Sequence, residues 1–307
     1  MAGAAVLLTV LPAASDAHVI VVPFDFSRHE VGLTVAVHGV PLYMFLDTGV
    51  SPSAIDADRA KSLGLKVDYA GGGEASGDGD TKHVVVYPTT IDELTIGGQP
   101  FAAVPALAAD FKQISGAYRR RVDGTLGYSF LVGKLTLIDY ANQTVAIADQ
   151  EADFAPQLDG CSHVWRVPLR SFPGDKIPVV ELEIGGTHLP VSIDTGSNGN
   201  LELYSKVLDE PAVNAALVET GSHEATGTRG GYTVKTYTLN APIRLGPFVL
   251  QPGQAVSLSR KAGSRGTRLA NVGNRLIASL GVKLLLDYRK NRIAFFGDCT
   301  GPGHPTR

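Results

Sequence analysis

Short alternations of apolar and polar residues recur along the chain and predict β-strands. In Leu33–Val37 every second residue is leucine or valine, as expected for a strand with one buried face. Similar runs, mostly bounded by Gly, Pro or Asn, are Val84–Tyr87, Leu135–Asp139, Leu182–Ile184, Leu189–Ile193, Thr233–Leu239 and Leu284–Asp287. Only three short stretches predict helices: Asp56–Leu63, Ser205–Leu217 and Ala270–Leu280. The pattern therefore predicts an all-β protein with few short helices.

The same motifs occur twice in the same order, which indicates a duplicated chain. Residues 42–49 and 189–196 are apolar runs that both end in Asp-Thr-Gly, about 147 residues apart. Four further pairs lie at nearly the same spacing: Val22-Pro23 with Val167-Pro168, Phe101 with Phe248, Leu126–Leu131 with Val272–Ile277, and Asp139–Ile147 with Asp287–Phe295. Five ordered matches are hard to obtain by chance, so we expect two equivalent lobes.

The repeats set the expected domain boundaries. We predict a first lobe over residues 19–150, a polar linker over 151–162, a second lobe over 163–298 and a tail over 299–307. Residues 1–18 contain a short apolar run, well below the roughly 20 residues that span a bilayer, followed by small residues. They are either an export signal, which we favour, or an ordinary apolar tail, since no Lys or Arg precedes Arg28.

Composition narrows the class of protein. The chain has 307 residues, 44% of them hydrophobic, and a formal net charge of −3. This balance argues against an electrostatic nucleic-acid binder and against a disordered chain. The two cysteines, Cys161 and Cys299, are not a CxxC pair, so neither a zinc knuckle nor a thioredoxin-type centre is expected. They open and close the second half of the chain, where we expect them to form a disulfide, with two unpaired thiols as the alternative.

Other sites of chemistry are not indicated. Gly127–Lys134 lacks the spacing of a phosphate loop, no HExxH zinc motif is present, and no Gly-x-Ser-x-Gly elbow supports a serine hydrolase. We therefore expect no cofactor and no metal.

The two Asp-Thr-Gly motifs are the strongest candidates for chemistry. One copy alone is most simply a cap at the end of a strand. Two copies at equivalent places bring Asp47 and Asp194 together, where like charges prevent both from ionising. One carboxylate then serves as a general base for water and the other as a general acid. Thr48 and Thr195 can brace the turns, and Gly49 and Gly196 permit close approach of the backbone.

These residues resemble the aspartic proteases, both pepsin-like and retroviral. The resemblance rests on Phe45–Gly49 and Ser192–Gly196, and on the apolar, glycine-containing segments Asp123–Gly127 and Asn271–Ile277. It implies two similar β-barrel-like lobes related by a pseudo-twofold axis, with Asp47 and Asp194 as the catalytic pair. The nearly equal lobes are closer to two fused retroviral-type protomers, as in bacterial retropepsin-like proteins.

The resemblance also suggests secondary features of the site. A hydroxyl at the position of Ser197 donates to the neighbouring aspartate in this family, whereas Val50 holds the equivalent place in the first lobe. We therefore expect Asp194 to be the ionised member. The Gly-rich segments Gly71–Lys82 and Thr220–Gly231 are expected to be either mobile lids or plain surface loops.

The sequence thus predicts a monomeric aspartic endopeptidase that is periplasmic or secreted. Its partner is an extended peptide or protein substrate, with no nucleic acid and no stable membrane span. The alternative is a non-catalytic peptide-binding protein that retains the fold. A narrow processing protease with a single target is not distinguished from a general one.

Overall fold

The computed structural model describes residues 19–75, 84–170, 176–227, 229–259 and 268–300. It is mostly β, with 50% strand and 17% helix, which confirms the predicted all-β class. The expected export segment (1–18), most of the first Gly-rich segment (76–83) and the end of the tail (301–307) lie outside the described residues. None of the described helices combines the length and the apolar character needed to cross a bilayer.

The described residues of the first half form twelve strands and three α-helices. The strands are β1 (Ile20–Pro23), β2 (Gly32–Val37), β3 (Val40–Leu46), β4 (Ser53–Asp56), β5 (Gly73–Glu74), β6 (Val85–Ile91), β7 (Leu94–Ile96), β8 (Gln99–Pro100), β9 (Val104–Ala109), β10 (Gly124–Leu126), β11 (Leu135–Asp139) and β12 (Thr144–Ala148). The helices are α1 (Ala57–Ser62), α2 (Lys112–Tyr118) and α3 (Tyr128–Leu131).

The second half repeats the strand order of the first after a short helical connection. The connection holds a 3-10 helix (Glu151–Phe154) and α4 (Ala155–Leu158). The strands are β13 (Cys161–Pro168), β14 (Val179–Ile184), β15 (Thr187–Ile193), β16 (Leu201–Tyr204), β17 (Leu217–Gly227), β18 (Gly230–Leu239), β19 (Ile243–Leu245), β20 (Phe248–Leu250), β21 (Gln254–Ser259), β22 (Ala270–Val272), β23 (Lys283–Asp287) and β24 (Arg292–Cys299). The helices are α5 (Pro211–Ala216) and α6 (Asn274–Ser279), with 3-10 turns at Ser205–Asp209 and Tyr288–Lys290.

Local sequence explains where the predicted helices hold and where they fail. Helix α1 follows the prediction, and Asp56 caps it by accepting a hydrogen bond from Arg59 N at 3.0 Å. The stretch Ser205–Leu217 is interrupted before Pro211, because proline disfavours the helical conformation of the residue that precedes it. The prediction of a helix over Ala270–Leu280 is wrong in its first part, where Ala270–Val272 forms β22.

Two nine-stranded sheets carry the candidate site. The first sheet has the order β5-β6-β9-β4-β10-β3-β2-β7-β8, and the second has the order β17-β18-β21-β16-β22-β15-β14-β19-β20. The two orders correspond strand by strand. In each sheet the strand that precedes the Asp-Thr-Gly turn, β3 or β15, runs parallel to a short central strand, β10 or β22.

A third sheet of six strands joins the two halves, and we call it the shared sheet. Its order is β1-β12-β11-β23-β24-β13, so β11 of the first half pairs directly with β23 of the second. Leu137 and Leu285 face each other in this pairing, and both are buried. Phe154, from the predicted linker, is fully buried in the same cluster. The connection is therefore packed against the sheet, which the sequence did not predict.

The two cysteines form a disulfide, as the sequence predicted. Cys161 at the start of β13 is bonded to Cys299 at the end of β24, and the two strands are paired along their length. The bond therefore fastens the outer edge of the shared sheet.

Removing this bond should lower the free energy of unfolding. The bridged residues are 138 apart in sequence, for which the chain-entropy model gives at most about 5 kcal/mol. Urea unfolding of oxidised protein, reduced protein and a Cys161→Ser/Cys299→Ala variant measures the loss, and the reduced wild type controls for packing changes at Cys299. Two alkylatable thiols in unreduced native protein would contradict the bond.

Candidate active site

Each Asp-Thr-Gly turn is fixed to its own sheet by a backbone hydrogen bond. Asp47 follows β3 and its N–H donates to Leu126 O at 3.0 Å. Asp194 follows β15 and its N–H donates to Val272 O at 2.9 Å. Because the accepting carbonyls end the central strands β10 and β22, both aspartates leave their sheets at equivalent points.

The two turns are tied to each other by a reciprocal set of hydrogen bonds, which we call the threonine clasp. Thr48 N donates to Thr195 Oγ1 at 3.0 Å, and Thr195 N donates to Thr48 Oγ1 at 3.0 Å. Each hydroxyl also donates across to the other half, Thr48 to Ile193 O at 2.6 Å and Thr195 to Leu46 O at 2.7 Å. Both side chains are buried, so all four bonds lie away from water.

Each carboxylate lies against the backbone of the opposite turn. Asp47 Oδ1 accepts from Gly49 N at 2.8 Å, and Asp194 Oδ1 accepts from Gly196 N at 3.0 Å. A Cβ atom on Gly49 would lie 2.6 Å from Asp194 Oδ1, and one on Gly196 would overlap the Asp47 carboxylate. Glycine is therefore required at both positions by close approach, as the sequence suggested.

The environment of Asp47 favours its protonated form. Only 8% of the residue is exposed. Burial raises the pKa of Asp47 well above its usual value, the nearby charge of Asp194 raises it further, and the Gly49 N–H opposes both effects. A carboxyl held protonated beside a second carboxyl is the arrangement that a shared proton requires.

The residues that follow the motifs occupy equivalent places but make different contacts. Val50 O accepts from Tyr128 N at 3.0 Å, and Ser197 O accepts from Asn274 N at 3.0 Å. The Ser197 hydroxyl accepts from Gly199 N at 3.2 Å. A different side chain donates to Asp194: Asn271 Nδ2 lies 2.7 Å from Asp194 Oδ2. The sequence did not single out Asn271. In a comparison of the two halves it holds the position that corresponds to Thr125.

A second buried acid lies close to the turns. Glu30 is 2% exposed and precedes β2. Tyr118 of α2 and Asn198, next to Ser197, lie near enough to act on its pKa through hydrogen bonding, while Glu30 Oε1 has no hydrogen-bond partner among the described residues. Burial raises the pKa of Glu30 from 4.5 to about 7, against the opposing effect of these hydrogen bonds. The sequence missed this group, and the only available signal was a charged residue directly before a buried strand.

Tyr118 interacts electrostatically with this acid and with both aspartates. Its ring lies 5.0 Å from that of Phe45 in β3. Burial raises the pKa of Tyr118 above its usual value, and the charges of Glu30, Asp47 and Asp194 act in the same direction. The phenol therefore stays protonated at neutral and acidic pH, where it can donate a hydrogen bond to Glu30.

Both Gly-rich segments include residues of antiparallel strands, and the second segment is described more fully than the first. In the second, β17 (Leu217–Gly227) and β18 (Gly230–Leu239) form a long hairpin, and β17 packs against α2 of the first half. In the first, β5 pairs with β6 as far as Glu74, and residues 76–83 lie outside the described residues. The hairpin of the second half therefore reaches the side of the site that carries Tyr118.

No metal centre accompanies the aspartates in the described ranges, where no three His, Cys, Asp or Glu side chains come together as ligands.

Replacing Thr48 with valine should destabilise the protein. Valine keeps the volume but leaves Ile193 O and Thr195 N without their Thr48 partners, at a cost of about 2–4 kcal/mol. Thr48→Ser retains the hydroxyl and serves as the matched control in urea unfolding. Equal stabilities of the valine and serine variants would contradict the clasp.

Replacing Glu30 with glutamine should change how stability depends on pH. Because folding raises the pKa of Glu30 to about 7, its contribution is complete below pH 4.5 and is lost as pH rises through 7. The free energy of unfolding of Glu30→Gln relative to wild type should therefore rise by about 1–3 kcal/mol between these limits. Exposed Glu93→Gln is the control, and a pH-independent difference for Glu30→Gln would contradict the assignment.

Comparison with known proteins agrees with this geometry. Residues 33–130 match the family described as aspartyl protease. This segment begins in β2 and ends in α3, so it includes Asp47, Thr48 and Gly49. No curated protein matches the chain. The match supports a protease function in general, and it shows that residues 33–130 are similar to the aspartic protease superfamily.

Proposed function

We propose that the protein is an aspartic endopeptidase in which Asp47 and Asp194 form one catalytic pair. The observation that carries the proposal is the threonine clasp, which holds the buried carboxylate of Asp47 and the partly buried carboxylate of Asp194 against each other's turns. Holding two like charges together has a cost in free energy, and a shared proton relieves it. The family match over residues 33–130 supports the same reaction class.

The geometry suggests a division of labour within the pair. Asp194 accepts hydrogen bonds from Gly196 N and Asn271 Nδ2, which stabilise its ionised form. Asp194 acts as the general base that takes a proton from water as the water oxygen attacks the scissile carbonyl carbon. Asp47, which carries the shared proton, donates it to the carbonyl oxygen. The resulting tetrahedral intermediate collapses as its C–N bond breaks. Asp194 passes the proton taken from water to the departing nitrogen, Asp47 recovers its proton from the hydroxyl group, and an amine and a carboxylic acid are released.

The surrounding elements supply a place for an extended substrate. Strand β17 contacts α2 and forms the edge of the second sheet, so its outer backbone edge can pair with an extended peptide. We propose that the β17–β18 hairpin acts as a lid.

The same proposal extends to the lobes of the chain, its compartment and its oligomeric state. The corresponding strand orders of the two nine-stranded sheets support two lobes, over 19–150 and 163–298, related by a pseudo-twofold axis. The disulfide supports an oxidising compartment, so we propose a periplasmic or secreted location. The two turns come from one chain, so a monomer contains the whole candidate site.

Substitution of either aspartate should abolish peptide cleavage. Because the pair acts as a unit, Asp47→Asn and Asp194→Asn should each lose activity, and the double variant should be no worse than either. Cleavage of a peptide library at several pH values measures this, with exposed Asp92→Asn as the control.

Two outcomes would contradict the proposal. Substantial activity in either single variant would remove that residue from the catalytic role. Peptide binding without cleavage by wild-type protein at every pH would instead favour the non-catalytic peptide-binding alternative.

A further inference from the structure

The two halves differ at one pair of positions directly beneath the aspartates. In the first half β10 places Thr125 opposite Phe45, and in the second half β22 places Asn271 opposite Ser192. The registers are equivalent, and all four residues are buried. An apolar and hydroxyl pair in one half therefore corresponds to a fully polar pair in the other.

The polar pair forms a short relay that ends on one aspartate. Ser192 Oγ donates to Asn271 Oδ1 at 2.5 Å, and Asn271 Nδ2 donates to Asp194 Oδ2 at 2.7 Å. The hydroxyl fixes the amide so that its N–H faces the carboxylate. A primary amide donates well to an ionised carboxylate, and such a bond is worth more than one between neutral groups.

Among the described residues of the first half, no side chain donates a hydrogen bond to Asp47 as Asn271 does to Asp194. The hydroxyl of Thr125 is buried and has no hydrogen-bond partner among the described residues. Phe45 turns its ring toward Tyr118 instead of supplying a hydroxyl. The two carboxylates are thus alike in their glycine N–H contacts and unlike in this second contact.

From this difference we infer that Asn271 is a positioning residue that holds the negative charge of the pair on Asp194 and leaves the shared proton on Asp47. The inference rests on the proposed function and deepens it, because it says which aspartate activates water. It also gives Ser192 a role, since its hydroxyl orients the amide. Residues outside both Asp-Thr-Gly motifs then determine which aspartate is ionised and which is protonated.

Other titratable groups face the pair and must be accounted for. They are Tyr118 from α2, Tyr140 after β11, Tyr288 after β23, and Glu30 behind Tyr118. Burial raises the pKa of each of the three phenols above its usual value, so none changes charge between pH 3 and 9. Glu30 does titrate in this range, and an experiment that follows only aspartate signals excludes it.

The test follows each aspartate alone by carbon NMR of selectively labelled aspartate. Asp47→Asn leaves Asp194 as the only acid of the pair, Asp194→Asn leaves Asp47, and the double variant identifies their signals by subtraction. Asp194 should titrate at lower pH than Asp47. Adding Asn271→Leu to Asp47→Asn should raise the Asp194 midpoint by about 1 pH unit.

Matched variants separate this role from a structural one. Asn271→Thr copies the residue of the first half and should give a similar rise if leucine fails to fold. Adding Thr125→Val to Asp194→Asn should leave the Asp47 midpoint unchanged, because Thr125 gives Asp47 no hydrogen bond. In otherwise wild-type protein, the acid limb of the activity profile should move upward in Asn271→Thr.

An unchanged Asp194 midpoint in both Asn271 variants would overturn the inference, as would an equal shift of Asp47 in Thr125→Val. These titrations need no turnover, so they decide the role of Asn271 even if the wild type cleaves nothing. Absence of cleavage would overturn the proposed function alone. Cleavage with unmoved titrations would overturn the inference alone.

Discussion

Repulsion between two carboxylates is the constraint on which the rest of this structure depends. The Asp-Thr-Gly turns are held together although their side chains disfavour contact, so other interactions must supply the attraction. The threonine clasp does so with four buried hydrogen bonds, each linking one half of the chain to the other. Glycine at positions 49 and 196 removes the steric barrier, and a retained proton reduces the electrostatic one. The site therefore exists only as a joint property of both halves.

The shared sheet also holds the two halves of the chain together against the repulsion between the carboxylates, over a much larger area than the turns. Four short bonds between two turns cannot hold two nine-stranded sheets in register, but β11 and β23 pair along their length beneath the site. Apolar residues cover both faces of this sheet, and Phe154 closes its outer side. The disulfide then fixes the strand at one edge. Precise placement of the turns is thus a consequence of extensive burial some distance away from them.

Much of the fold and part of the site could be predicted from the sequence. Strands were predicted well because alternation such as that of Leu33–Val37 reports directly which face is buried, and duplication identified Asp47 and Asp194 as equivalents. The shared sheet could not be predicted, since no local pattern shows that β11 pairs with β23 across the join. Asn271 and Glu30 were missed for a related reason, because each acts through a contact made by a residue distant in sequence. The helix expected over Ala270–Val272 failed because pairing with β15 outweighed local preference.

The position of β23 late in the chain has a consequence for synthesis. When the first half has left the ribosome, β11 is still an open edge, since its partner has not been made. Ile193 and Thr195 are missing at that stage as well, so Thr48 has no acceptor and no donor in the other turn. An unfinished chain therefore contains one carboxylate turn without its counterpart. The paired site appears only after nearly the whole chain has been translated, which keeps it absent from nascent and truncated products.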